Sequence, residues 1–430
     1  MHSSSKIFDL PEKVVKRIYT LLMTLIPELE SAVIEEQRAL DNELSAWMRQ
    51  RRELGSRDRR ILSQTLFRHF RWLGWTRQAL KLELADALYI AARLEEPAST
   101  IWSDHLAAHR QIAPVLEPLG AHSLEEKKEA LDTAFNHTCS LEELLPKEAI
   151  ELIDPSLLPH IQAPFQQRPS TWLRTRVDAQ TIAAALSAAK IPSSAHPRLD
   201  RALAIEGGIH LAQQIPDHIG QVVVQDAASQ CVSHIAAPQP GEHWWDACCG
   251  SGGKTLHMAD LMQQKGKLDA SDPRREALIE LKKRTRRHGI KMIYADVYDP
   301  IKQGPRALLY DGVLVDAPCS GWGTWGRNPD ARWRTSSASV QKAAKKQLAL
   351  LEHTAPSVKP GGLLIYAVCT LTLPETHEVM TQFLTRHPEF TLCSFTHPMS
   401  GETVDGTLQI NPENHDGMFI AKCKRDNSIH

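Results

Sequence analysis

From Gly220 onward the chain alternates short apolar runs with amphipathic stretches of helical period, and this alternation limits the fold more than any other feature. Strands that alternate with helices pair in parallel, because each helix crosses over one face of the sheet. The predicted strands are residues 243–246, 267–271, 291–295, 312–315 and 363–368. Further strands near 392 and 418–423 are expected to add an antiparallel edge. The sequence therefore predicts an α/β domain with a Rossmann-like sheet.

The fourth and fifth predicted strands each end in a loop that carries a cysteine. Residues 310–333 read YDGVLVDAPCSGWGTWGRNPDARW, so Cys319 follows an apolar run inside a glycine-rich loop. Cys369 follows the next strand directly, in the string YAVCT. Ligands of open α/β sheets bind beyond the carboxyl ends of the strands. We therefore expect both thiols to face one site.

The first strand ends in WWDACCGSGGKT, whose glycines allow a tight turn at the start of a helix. The spacing does not match a GxxxxGK[ST] phosphate loop, and such a turn can also serve only close strand–helix packing. Asp272 ends the second strand, where it can accept hydrogen bonds from a ribose or cap the helix that begins near Pro273. Asp296 ends the third strand. It is either a ligand of the nucleoside or an ordinary loop carboxylate. Asp316 would close the floor of a nucleoside-shaped pocket.

A nucleoside pocket without a phosphate loop suits either a dinucleotide or S-adenosylmethionine. Hydride transfer gives Cys319 and Cys369 no role, whereas methyl transfer to a pyrimidine uses a thiolate directly. Carbon 5 of cytosine becomes nucleophilic only after a thiolate adds at carbon 6, and elimination of the thiolate later restores the ring. Inert core packing is the expectation for the other scattered cysteines, Cys139, Cys231, Cys393 and Cys423.

Several motifs in the last half of the chain resemble the RsmB/Nop2/Sun family of RNA cytosine-5 methyltransferases, in the order of that family. They are VQDAASQ, DACCGSGGKT, DAPCSGWG followed by RNPDARW, YAVCT followed by LPETHE, and DGMFIAK. Any one of these strings is a weak signal, but the combination is specific. The resemblance implies a class I S-adenosylmethionine-dependent methyltransferase domain.

The same resemblance implies roles for individual residues. Cys369 would be the attacking thiol, Cys319 would assist breakdown of the covalent adduct, and Asp316 would also orient the target cytosine. The cofactor S-adenosylmethionine would be held by Cys248, Cys249, Gly250, Ser251, Gly252, Gly253, Lys254, Asp272, Asp296 and Asp316. The chain departs from the family at residues 249–251, at Val368 and at residues 376–377. None of these departures deletes a catalytic group, so an active enzyme is expected.

Three domains are predicted, because 430 residues are too many for one ordinary core. Residues 1–142 show helical spacing of apolar side chains in the segments 12–25, 29–47, 58–75 and 80–94. This all-α region resembles the NusB-like, RNA-binding domain of bacterial ribosomal-RNA members. Residues 143–215 form a small mixed subdomain, which resembles the RNA-contacting subdomain of the family. Residues 216–430 form the methyltransferase domain.

These resemblances imply that the partner is a structured RNA, with ribosomal RNA favoured over transfer RNA. The target cytosine would be flipped out of that RNA. The loop after Cys319 offers basic and aromatic side chains: Trp322, Trp325, Arg327, Arg332, Trp333 and Arg334. The arginines either hold phosphates or support the loop, and both readings stay open. The tryptophan at 322 or 325 is a candidate to pack beside the flipped base, whereas core packing is expected at 333.

Net charge, cysteine spacing and hydropathy limit the class and location of the protein only broadly. A net charge of −1 argues against a uniformly basic nucleic-acid binder, and the absence of CxxC pairs argues against a zinc site or a disulfide framework. No apolar run reaches the length of a membrane span, and the first residues lack a signal-peptide pattern. We therefore expect a cytoplasmic monomer without a metal. A transfer-RNA cytosine-5 methyltransferase and a catalytically idle RNA-binding assembly factor are the alternatives. A DNA enzyme, which would attack through Cys319, is disfavoured.

Overall fold

The computed structural model describes residues 11–427, which form two compact units. The first unit contains the described residues up to Gln167 and a later segment, Trp325–Ser337. The second unit contains Arg168–Thr324 and the chain from Ala338 onward. The three domain limits drawn from the sequence stay predictions. In the described part of the chain, no helix is long and apolar enough to cross a membrane.

The first unit is mainly helical. Its helices are α1 (Glu12–Ile34), α2 (Leu40–Arg49), α3 (Ser56–Leu73), α4 (Leu84–Glu95), α5 (Ile101–His109), α6 (Leu124–Phe135), α7 (Lys147–Ile150) and α8 (Leu158–Phe165). A π-helical turn, Gly74–Ala79, extends α3. Apolar side chains at three- and four-residue spacing form the core, and α1 alone buries Ile18, Leu22, Leu25 and Leu29.

The first two helices are separated at a point that periodicity does not reveal. The apolar pattern predicts one helix across 29–47, but α1 continues through Pro27 and α2 begins only at Leu40. The N–H of Leu40 donates to Oδ2 of Asp330 at 3.1 Å. Ala39, in the N-cap position, has no side-chain acceptor. Asp330 therefore caps α2 from 290 residues later in the chain, which explains why the prediction of this helix was wrong.

The later segment of the first unit places a cation and an indole in the core of that unit. Arg332 is fully buried and donates to the carbonyl groups of Leu144 at 3.0 Å and Phe165 at 2.7 Å. Trp333 donates through Nε1 to the carbonyl group of Phe70 at 2.7 Å. Burial lowers the pKa of Arg332 to about 9, which leaves the guanidinium charged at neutral pH. A phosphate-binding role for Arg332 is therefore wrong, whereas the expected core packing of Trp333 is confirmed.

The second unit begins with a small antiparallel sheet. Its strands β1 (Thr171–Thr175), β2 (Ser193–Ala195), β3 (Ala202–Ile205) and β4 (Val222–Val224) lie in the order β2-β3-β1-β4, with helices α9 (Ala179–Ala188) and α10 (Leu211–Gln214). Helix α11 (Ala227–Ala236) follows. Arg174 and Arg176 pair with Asp260 at 2.6 Å and 2.9 Å. These ion pairs fasten the small sheet to the larger α/β layer of the same unit.

The main sheet of the second unit is parallel at its centre. The strands and helices are β5 (His243–Asp246), α12 (Gly253–Leu261), β6 (Lys267–Ser271), α13 (Arg275–Arg287), β7 (Ile293–Asp296), α14 (Pro300–Gln303), β8 (Tyr310–Asp316), α15 (Ser337–Thr354), β9 (Val358–Val368), α16 (His377–Arg386), β10 (Phe390–Leu392), β11 (Phe395–Thr396), β12 (Thr403–Val404), β13 (Thr407–Ile410) and β14 (Met418–Arg425). The strand order is β10-β14-β9-β8-β5-β6-β7, with β13 beside β14 and β11 paired with β12 in a separate hairpin. Strand β14 is antiparallel to β9. The predicted α/β class and its antiparallel edge are confirmed.

The order of the strands reverses at β5, which lies between β6 and β8. A crevice for ligands is expected at the carboxyl ends of strands where such a reversal occurs. Trp244 and Trp245 of β5 are buried on opposite faces of the sheet, as expected for a parallel strand covered on both sides. A Cβ at Gly312 of β8 would lie 2.3 Å from the Trp244 ring, so only glycine fits there.

Candidate active site

The two predicted site cysteines come together at the carboxyl ends of neighbouring strands. Strands β8 and β9 are parallel, with Asp316 opposite Ala367. Cys369 follows β9 directly, Cys319 lies in the loop after β8, and their Sγ atoms are 3.3 Å apart. The N–H of Gly323 donates to the carbonyl oxygen of Cys369 at 3.0 Å and joins the two loops. The topology therefore brings both sulfurs to one place.

The surroundings of the pair distinguish the two thiols. The hydrogen bond with Cys369 raises the pKa of Cys319 well above its usual value, and burial and the negative charges of Cys369 and Glu375 act in the same direction. The backbone of Gly321 opposes these effects but does not outweigh them. Cys319 is therefore a neutral thiol at neutral pH.

A mostly buried lysine pairs with the carboxylate at the end of β8 and interacts electrostatically with Cys369. Nζ of Lys254, near the start of α12, donates to Oδ2 of Asp316 at 2.7 Å. Burial lowers the pKa of Lys254, but the charges of Asp316 and, more weakly, Cys369 outweigh burial and raise the pKa. Lys254 therefore keeps its positive charge. An ammonium group in this position favours an anionic sulfur nearby.

The loop before α12 requires glycine where the backbone turns. Gly250 and Gly252 have φ angles of 53° and 88°, in the left-handed region. A Cβ at Gly252 would lie 2.2 Å from Cδ1 of Leu281. A Cβ at Gly253, in contrast, would meet nothing within 4 Å. The loop thus presents open space at the N-terminus of α12.

The other predicted loop residues include two thiols that differ from the central pair. Burial raises the pKa of Cys248 and of Cys249 well above the usual value, so both are neutral. The N–H of Cys249 donates to the carbonyl oxygen of Ser271 at 2.9 Å. Ser251 is exposed, and its Oγ accepts from Arg284 at 3.2 Å. Within residues 11–427, no group of three or more His, Cys, Asp or Glu side chains is placed to hold a metal ion.

Asp272, just past β6, ties the glycine loop to the start of α13. Its Oδ2 accepts from the N–H of Gly250 at 3.0 Å, and its Oδ1 accepts from the N–H and Nε of Arg274, each at 2.9 Å. Burial acts to raise the pKa of Asp272, but the bonds with Arg274 outweigh burial and lower the pKa. Asp272 is therefore a buried carboxylate whose main cationic partner is exposed. Helix α13 begins at Arg275 with Arg274 in the N-cap position and no side-chain cap, so the helix-capping prediction for Asp272 is wrong. The ribose-binding role of Asp272 stays a prediction.

Asp296 ends β7, where it is paired in register with Ser271 of β6. Its side chain is half exposed and pairs with Arg306 at 2.7 Å. The guanidinium of Arg306 lies 5.0 Å from the ring centre of Trp245 and 4.4 Å from that of Tyr298. The predicted carboxylates therefore lie at the ends of adjacent strands, along the same edge of the sheet as the thiol pair.

Comparison with known proteins matches residues 233–424 to the sequence profile of the 16S rRNA methyltransferase RsmB/F family. A protein of Synechocystis sp., named probable ribosomal RNA small subunit methyltransferase B, is 34% identical over 322 residues. The alignment covers 72% of this chain and 71% of that protein. This chain belongs to the RsmB/F methyltransferase family. It is therefore an S-adenosylmethionine-dependent RNA methyltransferase, and the predicted enzyme class and cofactor are confirmed.

Other relatives agree with membership of the RsmB/F family. A probable ribosomal RNA small subunit methyltransferase B of Bacillus subtilis is 35% identical over 215 residues, which are 48% of each chain. Among solved structures, that of PH0851 has a TM-score of 0.71 at 24% identity, covering 97% of this chain and 99% of that one. NSun6 from Pyrococcus horikoshii has a TM-score of 0.57 at 16% identity, with 65% and 98% covered. At these identities the two structures show the shared fold alone.

The RsmB/F cofactor fits the residues at this edge of the sheet. Asp246 ends β5 and is buried; its Oδ2 accepts from Oγ1 of Thr255 at 2.7 Å. Its Oδ1 has no hydrogen-bond partner among the residues that the structure describes. Burial raises the pKa of Asp246 to about 7. This orphaned oxygen and the open space at Gly253 lie at a helix N-terminus, where backbone N–H groups can bind a polar ligand.

Sequence reasoning missed two buried acids, Asp246 and Glu375, although each belongs to a motif that carries the family resemblance. Asp246 closes a predicted strand directly before the glycine loop, a position that could have signalled a role. Glu375 gave no such signal, because its contacts come from three separate segments of the chain.

The aromatic and basic side chains of the loop after Cys319 mostly serve packing. Trp322 in the second unit and Trp325 in the first are 1% and 0% exposed, so neither offers a face to a flipped base. Arg334 pairs with Asp330 at 3.2 Å, which supports the loop. A phosphate contact by Arg327 stays a prediction.

Proposed function

We propose that this protein methylates carbon 5 of a cytosine in ribosomal RNA, with Cys369 as the nucleophile and Cys319 as the group that promotes release. The observation that carries this proposal is the 3.3 Å sulfur pair beside the ion pair of Lys254 and Asp316. Two relatives named as small-subunit ribosomal RNA methyltransferases support ribosomal RNA over transfer RNA.

The reaction begins with attack of the Cys369 thiolate on carbon 6 of the cytosine, which turns carbon 5 into a nucleophile. Lys254 offsets the negative charge of the thiolate before attack. Asp316 accepts a hydrogen bond from the exocyclic amino group and so orients the ring. The glycine loop, with Asp272 and Asp296, would hold S-adenosylmethionine, which when bound would supply the methyl group.

Release requires loss of the proton on carbon 5 and departure of the Cys369 sulfur as a thiolate. In the resting site, Cys369 contributes most to the raised pKa of Cys319. That contribution disappears when Cys369 becomes a neutral thioether. Cys319 can then give its own proton to water, take the proton from carbon 5 and become a thiol again. The net product is one proton for each methyl group transferred.

RNA that contains 5-fluorocytosine at the target position tests this mechanism, because fluorine at carbon 5 cannot be lost as a proton. Wild type should form an adduct that survives a denaturing gel, and Cys369→Ala should form none. Cys319→Ala should accumulate an adduct even with ordinary cytosine. An adduct formed by Cys369→Ala would overturn the choice of nucleophile, whereas none from wild type would favour an idle assembly factor. Parallel reactions with small-subunit ribosomal RNA and transfer RNA separate the two substrates.

A further inference from the structure

Glu375 is a buried carboxylate that accepts five hydrogen bonds. Its Oε1 accepts from the N–H of Ser320 at 2.8 Å and from Nε2 of Gln347 at 2.9 Å. Its Oε2 accepts from the hydroxyl groups of Ser320, of Thr370 at 3.2 Å and of Thr372 at 2.8 Å. Glu375 is 0% exposed, and each of these donors is uncharged. Burying a carboxylate is unfavourable unless such bonds replace its water, so the site is built around this group.

The donors belong to the segments that carry the two sulfurs. Ser320 directly follows Cys319, and Thr370 directly follows Cys369. The hydroxyl groups of Ser320 and Thr370 are also 3.0 Å apart. The single carboxylate of Glu375 therefore fastens the loop after β8 to the loop after β9.

The two sulfurs depend on Glu375 to different degrees. Cys369 directly continues β9, whose pairing with two neighbouring strands fixes its backbone. Cys319 lies in a loop without regular secondary structure, and both the N–H and the hydroxyl of the next residue bond to Glu375. Gln347 donates to the carbonyl oxygen of Pro318 at 3.1 Å and is itself held by Glu375. Loss of Glu375 thus releases the Cys319 loop, while the strand keeps Cys369 in place.

We propose that Glu375 is a positioning residue that holds the thiol of Cys319 against the sulfur of Cys369 and thereby sets the rate of adduct breakdown. The proposal rests on the function proposed above and assigns a step of it to a residue that touches neither substrate nor cofactor. The negative charge of Glu375 also contributes to the raised pKa of Cys319, which keeps the resting thiol protonated. Because loss of Glu375 frees the Cys319 loop while β9 keeps Cys369 in place, attack at carbon 6 should proceed without Glu375, whereas release should slow.

A matched control is available at the opposite end of the same strands. Asp311 is a partly buried carboxylate that accepts from the N–H of His243 at 2.8 Å and from Nζ of Lys359 at 2.6 Å. It joins β5 and β9, as Glu375 joins the loops after β8 and β9, but it lies at the amino ends of the strands. Asp311→Ala should lower stability without separating the two steps.

The test compares Glu375→Ala, Glu375→Gln and Asp311→Ala in rapid-quench reactions of the full chain. Adduct formation is followed on 5-fluorocytosine RNA, and release is followed on ordinary RNA as the decay of the covalent species. Glu375→Ala should slow release by about tenfold or more, equal to about 1.4 kcal/mol in the barrier, and change adduct formation by less than about threefold. Glu375→Gln should have a smaller effect, because its Oε1 still accepts from both N–H donors and the hydroxyl groups can rotate to accept.

The outcomes distinguish failure of the proposed role of Glu375 from failure of the proposed function of the protein. Failure of wild type to form an adduct overturns the proposed function itself. A normal wild type with equal slowing of both steps in Glu375→Ala and Glu375→Gln shows a merely structural role and overturns this inference. The inference about Glu375 is also overturned if Asp311→Ala slows release as much as Glu375→Ala does. If Glu375→Ala does not fold, Ser320→Ala replaces it, because that variant removes one bond to the carboxylate and should slow release alone.

Discussion

Replacing Gly252 by alanine should lower the stability of the second unit, whereas replacing the adjacent Gly253 by alanine should raise it. At Gly252 the left-handed backbone costs about 1–2 kcal/mol for a residue with a Cβ. The new methyl would also lie 2.2 Å from the buried Leu281 side chain, and displacing that side chain adds about 1–3 kcal/mol. Gly252→Ala should therefore destabilise the second unit by about 2–5 kcal/mol. Gly253 begins α12 in open space, so Gly253→Ala should stabilise it by about 0.4–1 kcal/mol.

Hydrogen exchange measured by mass spectrometry on peptides from β5 and α12 provides the assay. A whole-protein melt would mix the two compact units, whereas exchange reports the free energy of opening of each element. Each variant serves as the control for its neighbour, because both add the same methyl group to adjacent residues. Equal protection in the two variants would refute the assigned path of the loop and its contact with Leu281.

Cofactor binding by the same two variants adds a second, independent readout. The methyl group of Gly253→Ala enters the space at the N-terminus of α12 that we assign to the cofactor. We expect this variant to bind S-adenosylhomocysteine about tenfold more weakly by calorimetry, a loss of about 1.4 kcal/mol, although its fold is more stable. Unchanged affinity in a stabilised Gly253→Ala would contradict the proposed place of the cofactor.

The remaining predictions concern a buried acid and a buried indole. Because burial raises the pKa of Asp246 to about 7, its ionisation opposes folding, and wild-type stability should fall as pH rises from about 4 to about 7. In hydrogen exchange from β5 and α12, corrected for the intrinsic rate at each pH, Asp246→Asn should exceed wild type by on the order of 4 kcal/mol at pH 8 and by little at pH 4; equal gains would contradict this. Trp333→Ala leaves a cavity and removes the Nε1 donor to the Phe70 carbonyl group, so exchange from α3 should show a loss of about 3–5 kcal/mol. Arg334→Ala, the control, removes an ion pair worth about 1 kcal/mol or less, and equal losses would refute the packing argument.

The sequence predicts the centre of the sheet better than the surrounding contacts, for a physical reason. Strands β5 and β6 begin and end at the predicted residues, because short apolar runs bounded by glycine and charged residues are locally encoded. The break before α2 depends instead on Asp330, which accepts a hydrogen bond from the N–H of Leu40, 290 residues earlier in the chain. The proximity of Cys319 and Cys369 follows from adjacent parallel strands, which topology rules can supply. The five donors around Glu375 follow from no such rule, since each comes from a loop or helix whose path is set by packing.

In the proposed mechanism, two cysteines of the same intrinsic chemistry have different roles, and the charges near their loops differ. Lys254, delivered by the loop after β5, pairs with Asp316 and senses the charge of Cys369. Glu375, delivered by the segment after β9, adds its negative charge to the surroundings of Cys319. Attack through Cys319, as in the DNA enzymes, would place the thiolate on the sulfur that the fold keeps protonated. The division of labour proposed for the cysteines therefore rests first on the hydrogen bond between them, which contributes most to the raised pKa of Cys319, and then on the charges of Glu375 and Lys254.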